Sequence, residues 1–132
     1  RDASRQAYVA PLRDGIRSLG KIVFGSGFDI VLGEDWTILD VSRDGKTIPF
    51  DSLSVGAKEQ LGILTRLAAA RIVADQGGVP VIIDDALGFS DPTRLQSMGA
   101  AIAAAGRDAQ VVVLTCTPGR FMYLGEVGVR RL

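Results

Sequence analysis

The sequence predicts an α/β fold, with parallel buried strands flanked by helices and a small antiparallel meander added to them. Two uncharged runs, Val81-Ile-Ile and Val111-Val-Val-Leu, are typical of strands that are buried on both faces. Between Phe28 and Phe50 the apolar residues alternate with a period of two, which indicates the meander. Apolar residues at helical spacing precede and separate these segments, and they predict the flanking helices.

The composition limits the class of protein. The 132 residues fit one domain, and a hydrophobic content of 47% is enough for a core. Fifteen basic and fifteen acidic residues cancel, so the totals give no reason to expect a nucleic-acid or membrane surface. A single cysteine, Cys116, excludes a disulfide framework and favours a reducing, cytoplasmic location.

Targeting and membrane signals are absent from the sequence. No apolar run approaches the roughly 20 residues that span a bilayer, and the N-terminus is polar rather than signal-like. The chain begins without a methionine, and we therefore expect it to be a segment of a longer protein.

The first segment, Arg1 to Leu19, predicts an amphipathic helix with Tyr8, Leu12 and Ile16 on one face. Pro11 lacks the amide that a helix interior needs, so we expect a break near Ala10 and a second helix that begins at Pro11. Both an ordinary surface helix and the root of a longer coiled coil fit this pattern. We divide the chain after Leu19, into a coiled-coil exit and connecting helix, residues 1–19, and a main lobe, residues 20–132.

The segment from Phe28 to Phe50 contains three short period-two runs. Gly33-Glu34-Asp35 separates the first two, and Asp44-Gly45 is a strong hairpin signal before the third. We expect this meander to be a scaffold without chemistry of its own.

A helix is predicted over Leu61 to Asp75, and Gly77-Gly78 ends it. Ser54 and Gly56 lie at its N-terminus, where free amides and the helix dipole favour an anion. Simple N-capping by Ser54 is the alternative.

The stretch from Val79 to Pro92 is the centre of the predicted fold. Asp84 and Asp85 end a buried strand at the sheet edge where open α/β sheets bind ligands. Adjacent residues on an extended backbone point in different directions, so one carboxylate is free to hold a metal ion while the other faces water or substrate. Asp91 is a candidate N-cap and Pro92 the first residue of a helix that continues through Thr93 to Ala105.

The second uncharged strand lies within Gln110 to Thr115, and Thr115-Cys-Thr-Pro-Gly119 leaves its carboxyl end. A right-handed crossover makes it a parallel neighbour of the first strand, which places this loop beside Asp84 and Asp85. A turn over Arg120 to Leu124 and a last strand around Val127 to Arg130 complete the expected fold.

In this order the segments resemble the C-terminal half of an ABC-type ATPase head of the SMC and RecF/RecN-like kind, most closely the YhaN-like SMC-like ATPases. Leu53-Ser-Val-Gly-Ala-Lys-Glu-Gln60 resembles the signature motif, with valine in place of its first glycine. The resemblance implies that the motif contacts the γ-phosphate of ATP bound to the opposite head. The nucleotide-binding residues implied here are Ser54, Val55, Gly56, Lys58 and Gln60.

Val81-Ile-Ile-Asp-Asp85 resembles the Walker B strand. The resemblance implies that Asp84 helps to hold Mg²⁺ through water and that Asp85 polarises the attacking water. Phe89-Ser-Asp91 resembles the D-loop, which implies that Ser90 and Asp91 lie at the dimer interface. Thr117 takes the position of the switch histidine, which implies that it binds nucleotide through a hydrogen bond to a phosphate oxygen. The chain has no histidine.

The phosphate-binding loop Gly-x-x-x-x-Gly-Lys-Ser/Thr is missing from the sequence, and Gly25-Ser-Gly27 has its glycines without the lysine. The resemblance implies that an N-terminal lobe supplies this loop and that the chain alone is inactive. It also implies ATP and Mg²⁺ as cofactors, a second head as partner, and work on DNA in repair or chromosome maintenance.

Two rival interpretations remain open. The aspartates with Asp91 could form a Mg²⁺-dependent phosphoryl-transfer or receiver-like acidic pocket. Alternatively, Asp85 and Thr117 could mark a degenerate head that dimerises without turnover.

Overall fold

The computed structural model describes residues 2–88, 90–124 and 128–130. Short 3-10 turns follow β3, α2 and β5. The helices and strands, in chain order, are α1 Asp2–Phe24, β1 Phe28–Leu32, β2 Ile38–Arg43, β3 Lys46–Pro49, α2 Val55–Val73, β4 Val81–Asp84, α3 Pro92–Gly106 and β5 Val111–Leu114.

The first helix passes through Pro11 without interruption, so the predicted break near Ala10 is wrong. Proline removes one helical hydrogen bond, which leaves the carbonyl of Ala7 without its partner in the next turn. Ala7, Ala10 and Pro11 are all exposed, so water is available to this carbonyl. Further along, the buried face of α1 holds the helix in place; it comprises Leu12, Ile16, Leu19 and Val23.

The core is built around α1, which packs against α2, α3 and β1. Phe28 of β1 stacks on Phe24 with a ring-centroid distance of 5.1 Å. The edge of the Phe28 ring lies against Gly20, where only a glycine leaves room for it. The side chains with the least exposed surface are Ile16, Leu19, Phe28, Leu61, Leu64, Leu67, Ile83, Leu87 and Met98.

The predicted meander is confirmed. Its three strands lie in the order β1-β2-β3 and pair antiparallel. Asp44 and Gly45 form the β2–β3 turn with φ angles of 52° and 83°, the left-handed conformation typical of a two-residue hairpin. Phe28, Ile30 and Val41 face the core, whereas Val31 is 47% exposed.

The two later strands are parallel neighbours, as predicted, with Ile83 paired to Val113. Val81 and Ile83 are buried, whereas Ile82 is 49% exposed. One face of β4 is therefore covered in this chain, whereas its uncharged sequence predicts cover on both faces. Helix α2 packs on β4 and α3 on β5. Burial on both faces is also wrong for β5, where Val111, Val112 and Val113 are half-buried and Leu114 is 39% exposed.

Helix α3 follows its predicted start and stop signals, whereas α2 begins at Val55, six residues before the predicted Leu61, and ends at Val73. Ser54 caps α2, and Gly77 takes a φ of 95° after its last turn. Asp91 caps α3 and Pro92 is its first residue. The predicted turn before Leu124 is part of a 3-10 segment. Of the last predicted strand, residue 127 lies outside the described residues, and residues 128–130 form no strand.

Candidate functional site

The carboxyl ends of β4 and β5 bring Asp84 and Asp85 beside the loop that follows β5. Asp84 pairs with Leu114 in the sheet, and the amide of Asp85 donates to the Leu114 carbonyl at 2.8 Å. Both aspartates are exposed. The predicted proximity of this acidic pair to the loop after β5 is therefore confirmed, and both carboxylates are open to a ligand.

The loop after β5 is held by its own threonines. The amide of Thr117 donates to Thr115 Oγ1 at 3.0 Å, and the two hydroxyl oxygens lie 3.2 Å apart. Cys116 Sγ lies 3.9 Å from Asp85 Oδ1, which places this loop against the aspartate. Thr117 is exposed and has a hydroxyl that can donate to a phosphate oxygen.

The N-terminus of α2 forms a second group of candidate residues. Ser54 Oγ accepts a hydrogen bond from the Ala57 amide at 3.1 Å, so N-capping by Ser54 is confirmed. Val55 is 65% exposed, Gly56 is buried, and Lys58 is partly buried. The cap uses one acceptor of the serine, and the hydroxyl proton remains able to donate to an anion.

One residue of each group lines a cavity, and the two cavities are different. Ser54 lines a cavity of about 310 Å³ together with Phe24, Arg43 and Arg94. Asp84 lines a groove of about 380 Å³ between β4 and α2. In the described part of the chain, Ser54 and Asp84 therefore line separate cavities.

Arg94 joins three parts of the first cavity. Its guanidinium lies 4.6 Å from the centre of the Phe24 ring, a cation–π contact. It also donates to Gln60 Oε1 at 3.1 Å. Burial lowers the pKa of Arg94, and the nearby positive charge of Arg43 lowers it further, although Asp91 acts in the opposite direction.

Gln60 lies inside the protein, with 3% of its surface exposed. Its side-chain amide donates to Ser90 Oγ at 2.8 Å, and its oxygen accepts from Arg94. Gln60 thus links α2 to Ser90, before α3, and to the first turn of α3. A direct contact of Gln60 with nucleotide remains a prediction.

The segment that follows Asp85 is held by residues that the sequence analysis did not single out. Glu59 Oε1 accepts from the Leu87 amide at 2.9 Å, and Arg120 donates to the Leu87 carbonyl at 2.7 Å. These partners lie 28 and 33 residues from Leu87 along the chain. No local pattern in the sequence indicates contacts at such separations.

The D-loop-like residues are only partly described. Phe89 lies outside the described residues, Ser90 is partly buried against Gln60, and Asp91 Oδ1 accepts from the Arg94 amide at 2.7 Å. Among the described residues, no three His, Cys, Asp or Glu side chains are grouped to hold a metal ion. The three-carboxylate pocket of the rival interpretation is therefore wrong for the described residues, because Asp91 caps α3 instead.

No helix among the residues described is both long and apolar enough to cross a bilayer. The cytoplasmic location remains a prediction.

The fold is that of the C-terminal lobe of an SMC ATPase head. A solved structure from work on ATP-driven dimerization and DNA stimulated activation of SMC ATPases is similar to this chain, with a TM-score of 0.69 and 13% sequence identity. The match covers 92% of this chain and 76% of the solved chain. That likeness establishes the architecture.

Curated sequences extend the comparison. The Smc-like protein Sph1 of Halobacterium salinarum is 32% identical over 88 residues, which cover 67% of this chain and 14% of that protein. Uncharacterized proteins of Mycobacterium tuberculosis and Mycobacterium bovis are 49% identical over all 132 residues. The chain spans about 15% of the length of these mycobacterial relatives. No family model matches the sequence. The resemblance to the C-terminal half of an SMC-like ATPase head is confirmed.

Proposed function

We propose that this chain is the C-terminal part of a head that hydrolyses ATP between two copies of the protein, in DNA repair or chromosome maintenance. The observation that carries the proposal is that Ser54 and Asp84 line different cavities. A signature-like serine and a Walker B-like aspartate that face different spaces each need a second polypeptide to complete a site. The SMC-type fold supports the same arrangement.

Asp84 and Asp85, at the carboxyl end of β4, would have different roles in ATP hydrolysis. Mg²⁺ is commonly held by one or two carboxylates together with substrate phosphates, so an exposed Asp84 fits an ion that arrives with nucleotide. The ion would neutralise charge on the β- and γ-phosphates. Asp85 would orient the attacking water, and Thr117 would donate a hydrogen bond to a phosphate oxygen.

The N-terminus of α2 would close over the γ-phosphate of ATP on the partner head. The Ser54 hydroxyl, the Gly56 amide and the Lys58 ammonium would supply hydrogen bonds and positive charge, with Val55 at the contact. Ser90 and Asp91 would lie at the same interface. An N-terminal lobe would supply the phosphate-binding loop that is missing here, and residues 1–19 would lead to the coiled coil.

The proposal is tested by complementation in the full-length protein that carries this segment. Ser54→Arg and Asp85→Asn should each abolish ATP turnover. In an equal mixture, half of the dimers are mixed and each has one intact site, so about a quarter of wild-type turnover should return. Gln96→Arg, at an exposed position of α3, is a matched control for the added arginine.

A mixture that stays inactive although both variants dimerise with ATP would contradict a shared site. Turnover by the Asp85→Asn variant alone would contradict the role of Asp85. ATP-dependent dimerisation without turnover in the wild-type protein would identify the degenerate, non-catalytic head.

A further inference from the structure

We propose that Glu59 and Gln60, adjacent residues of α2, are positioning residues that hold the segment after Asp85 in its working conformation. The proposal rests on the proposed function and assigns Gln60 a role other than contact with nucleotide. Both residues lie in the signature-like motif, yet their observed partners belong to the segment that follows the Walker B-like strand. They would connect the two halves of the site within one chain.

The Glu59 contact acts on the backbone of Leu87. Glu59 accepts from the Leu87 amide, and Arg120 donates to the carbonyl of the same residue. The side chain of Leu87 is fully buried. A charged acceptor, a charged donor and the core therefore fix one residue from three sides, and the Asp85 backbone lies two residues away.

The backbone at Asp85 and Leu87 needs such support. Asp85 and Leu87 have φ angles of 47° and 67°, in the left-handed region that residues with a side chain rarely occupy. Such conformations persist when surrounding contacts enforce them, and they concentrate at functional sites. The Asp85 amide donates a hydrogen bond to the Leu114 carbonyl. The next amide with a hydrogen bond is that of Leu87, which donates to the Glu59 carboxylate.

The Gln60 contact acts three residues further on. Gln60 donates to Ser90 and accepts from Arg94, so both ends of its amide are used inside the protein. Only a side chain with both a donor and an acceptor can make this pair of bonds. Glu59 therefore holds Leu87, and Gln60 holds Ser90.

The consequence for catalysis is specific. Ser54 caps the same helix five residues before Glu59, so a shift of α2 when Ser54 meets a phosphate would be passed to Leu87 and then to Asp85. Misplacing a catalytic group by about 1 Å can lower the rate by about a hundredfold. Loss of either contact should thus lower kcat and leave the KM for ATP nearly unchanged.

The test uses the full-length protein. Glu59→Ala removes the acceptor for the Leu87 amide, whereas Glu59→Gln keeps a neutral acceptor, so we expect kcat to fall about tenfold to a hundredfold in the first and to recover largely in the second. Glu34→Ala, at an exposed position of the β1–β2 loop, is the matched control. Gln60→Met removes both amide bonds at similar volume and should also lower kcat, with Gln96→Met as its control.

A second measurement does not depend on activity. Hydrogen exchange at the Leu87 amide should accelerate in Glu59→Ala and remain slow in Glu59→Gln. The exchange is measured without nucleotide, on variants that a cooperative thermal melt has shown to be folded. Wild-type kcat and unchanged Leu87 exchange in Glu59→Ala would overturn the inference. If Asp85→Asn is inactive in the same assay, failure of the inference leaves the proposed function intact. If Asp85→Asn is fully active, the proposed function fails as well.

Discussion

Gln60 and Ser90, thirty residues apart in the chain, are joined by a 2.8 Å hydrogen bond between the Gln60 side-chain amide and the Ser90 hydroxyl. Because Gln60 is almost entirely buried, its amide has little access to water if Ser90 is changed. A buried donor without a partner costs about 1–3 kcal/mol of folding free energy. This bond is therefore a structural tie between α2 and the beginning of α3.

We predict that Ser90→Ala lowers the free energy of unfolding by about 1–2 kcal/mol, since it leaves the Gln60 amide unpaired. Gln60→Met together with Ser90→Ala should cost less than the sum of the two single changes, because the second change then removes no further bond. Urea unfolding of the four proteins measures this coupling. Strictly additive effects would show that the two side chains do not interact.

Two helix glycines should respond to alanine in opposite directions. At Gly20 a Cβ would overlap the buried Phe28 ring, so Gly20→Ala should destabilise the chain by about 1–3 kcal/mol. At Gly62 nothing lies within 4 Å of the added carbon, so Gly62→Ala should stabilise by about 0.5–1 kcal/mol through helix propensity. Thermal melts compare the two, and a stable Gly20→Ala protein would contradict the tight packing of β1 on α1.

The Asp29 carboxylate should make stability depend on acid pH. Partial burial acts to raise its pKa, but hydrogen bonds from the Ile30 amide and the Arg17 guanidinium outweigh this and lower the pKa below 3.8. A lowered folded-state pKa stabilises the protein above the ordinary value, and this stabilisation is lost as pH falls through the folded pKa. Asp29→Asn should therefore lose less stability than wild type between about pH 5 and about pH 2.

Urea midpoints across this pH range provide the measurement. Arg17→Gln removes one cause of the lowered pKa, so its acid-dependent loss should fall between those of wild type and Asp29→Asn. The effect should be small, since the side chain of Asp29 is about half exposed and water screens the ion pair. Identical pH profiles for wild type and Asp29→Asn would exclude a contribution from this pair.

Helix α3 should depend on its cap. Asp91 accepts from the Arg94 amide, so Asp91→Ala should lower the free energy of unfolding by about 1 kcal/mol, whereas Asp91→Asn retains an acceptor and most of the stability. Thr93→Ala, exposed in the same turn, serves as the control. Equal stability of the alanine and asparagine variants in chemical unfolding would contradict capping by the side chain.

Local patterns predicted most of the secondary structure. The period-two runs and the Asp44-Gly45 turn identified the meander, because alternation and a left-handed turn are properties of neighbouring residues. The helix break predicted at Pro11 is wrong. A proline lowers helix stability locally, but the buried face from Leu12 onward and the exposure of Ala7 decide whether the helix continues.

The sequence by itself determined the order of the elements, the caps at Ser54 and Asp91, and the parallel pairing that places Asp84 and Asp85 beside Thr117. Each of these follows from short-range chemistry or from the right-handedness of crossovers. Only the tertiary structure decided that Ser54 and Asp84 face different cavities. It also decided that Glu59, Gln60 and Arg120 hold the segment after Asp85, because those contacts join positions about thirty residues apart, whose distance depends on the packing of the whole chain.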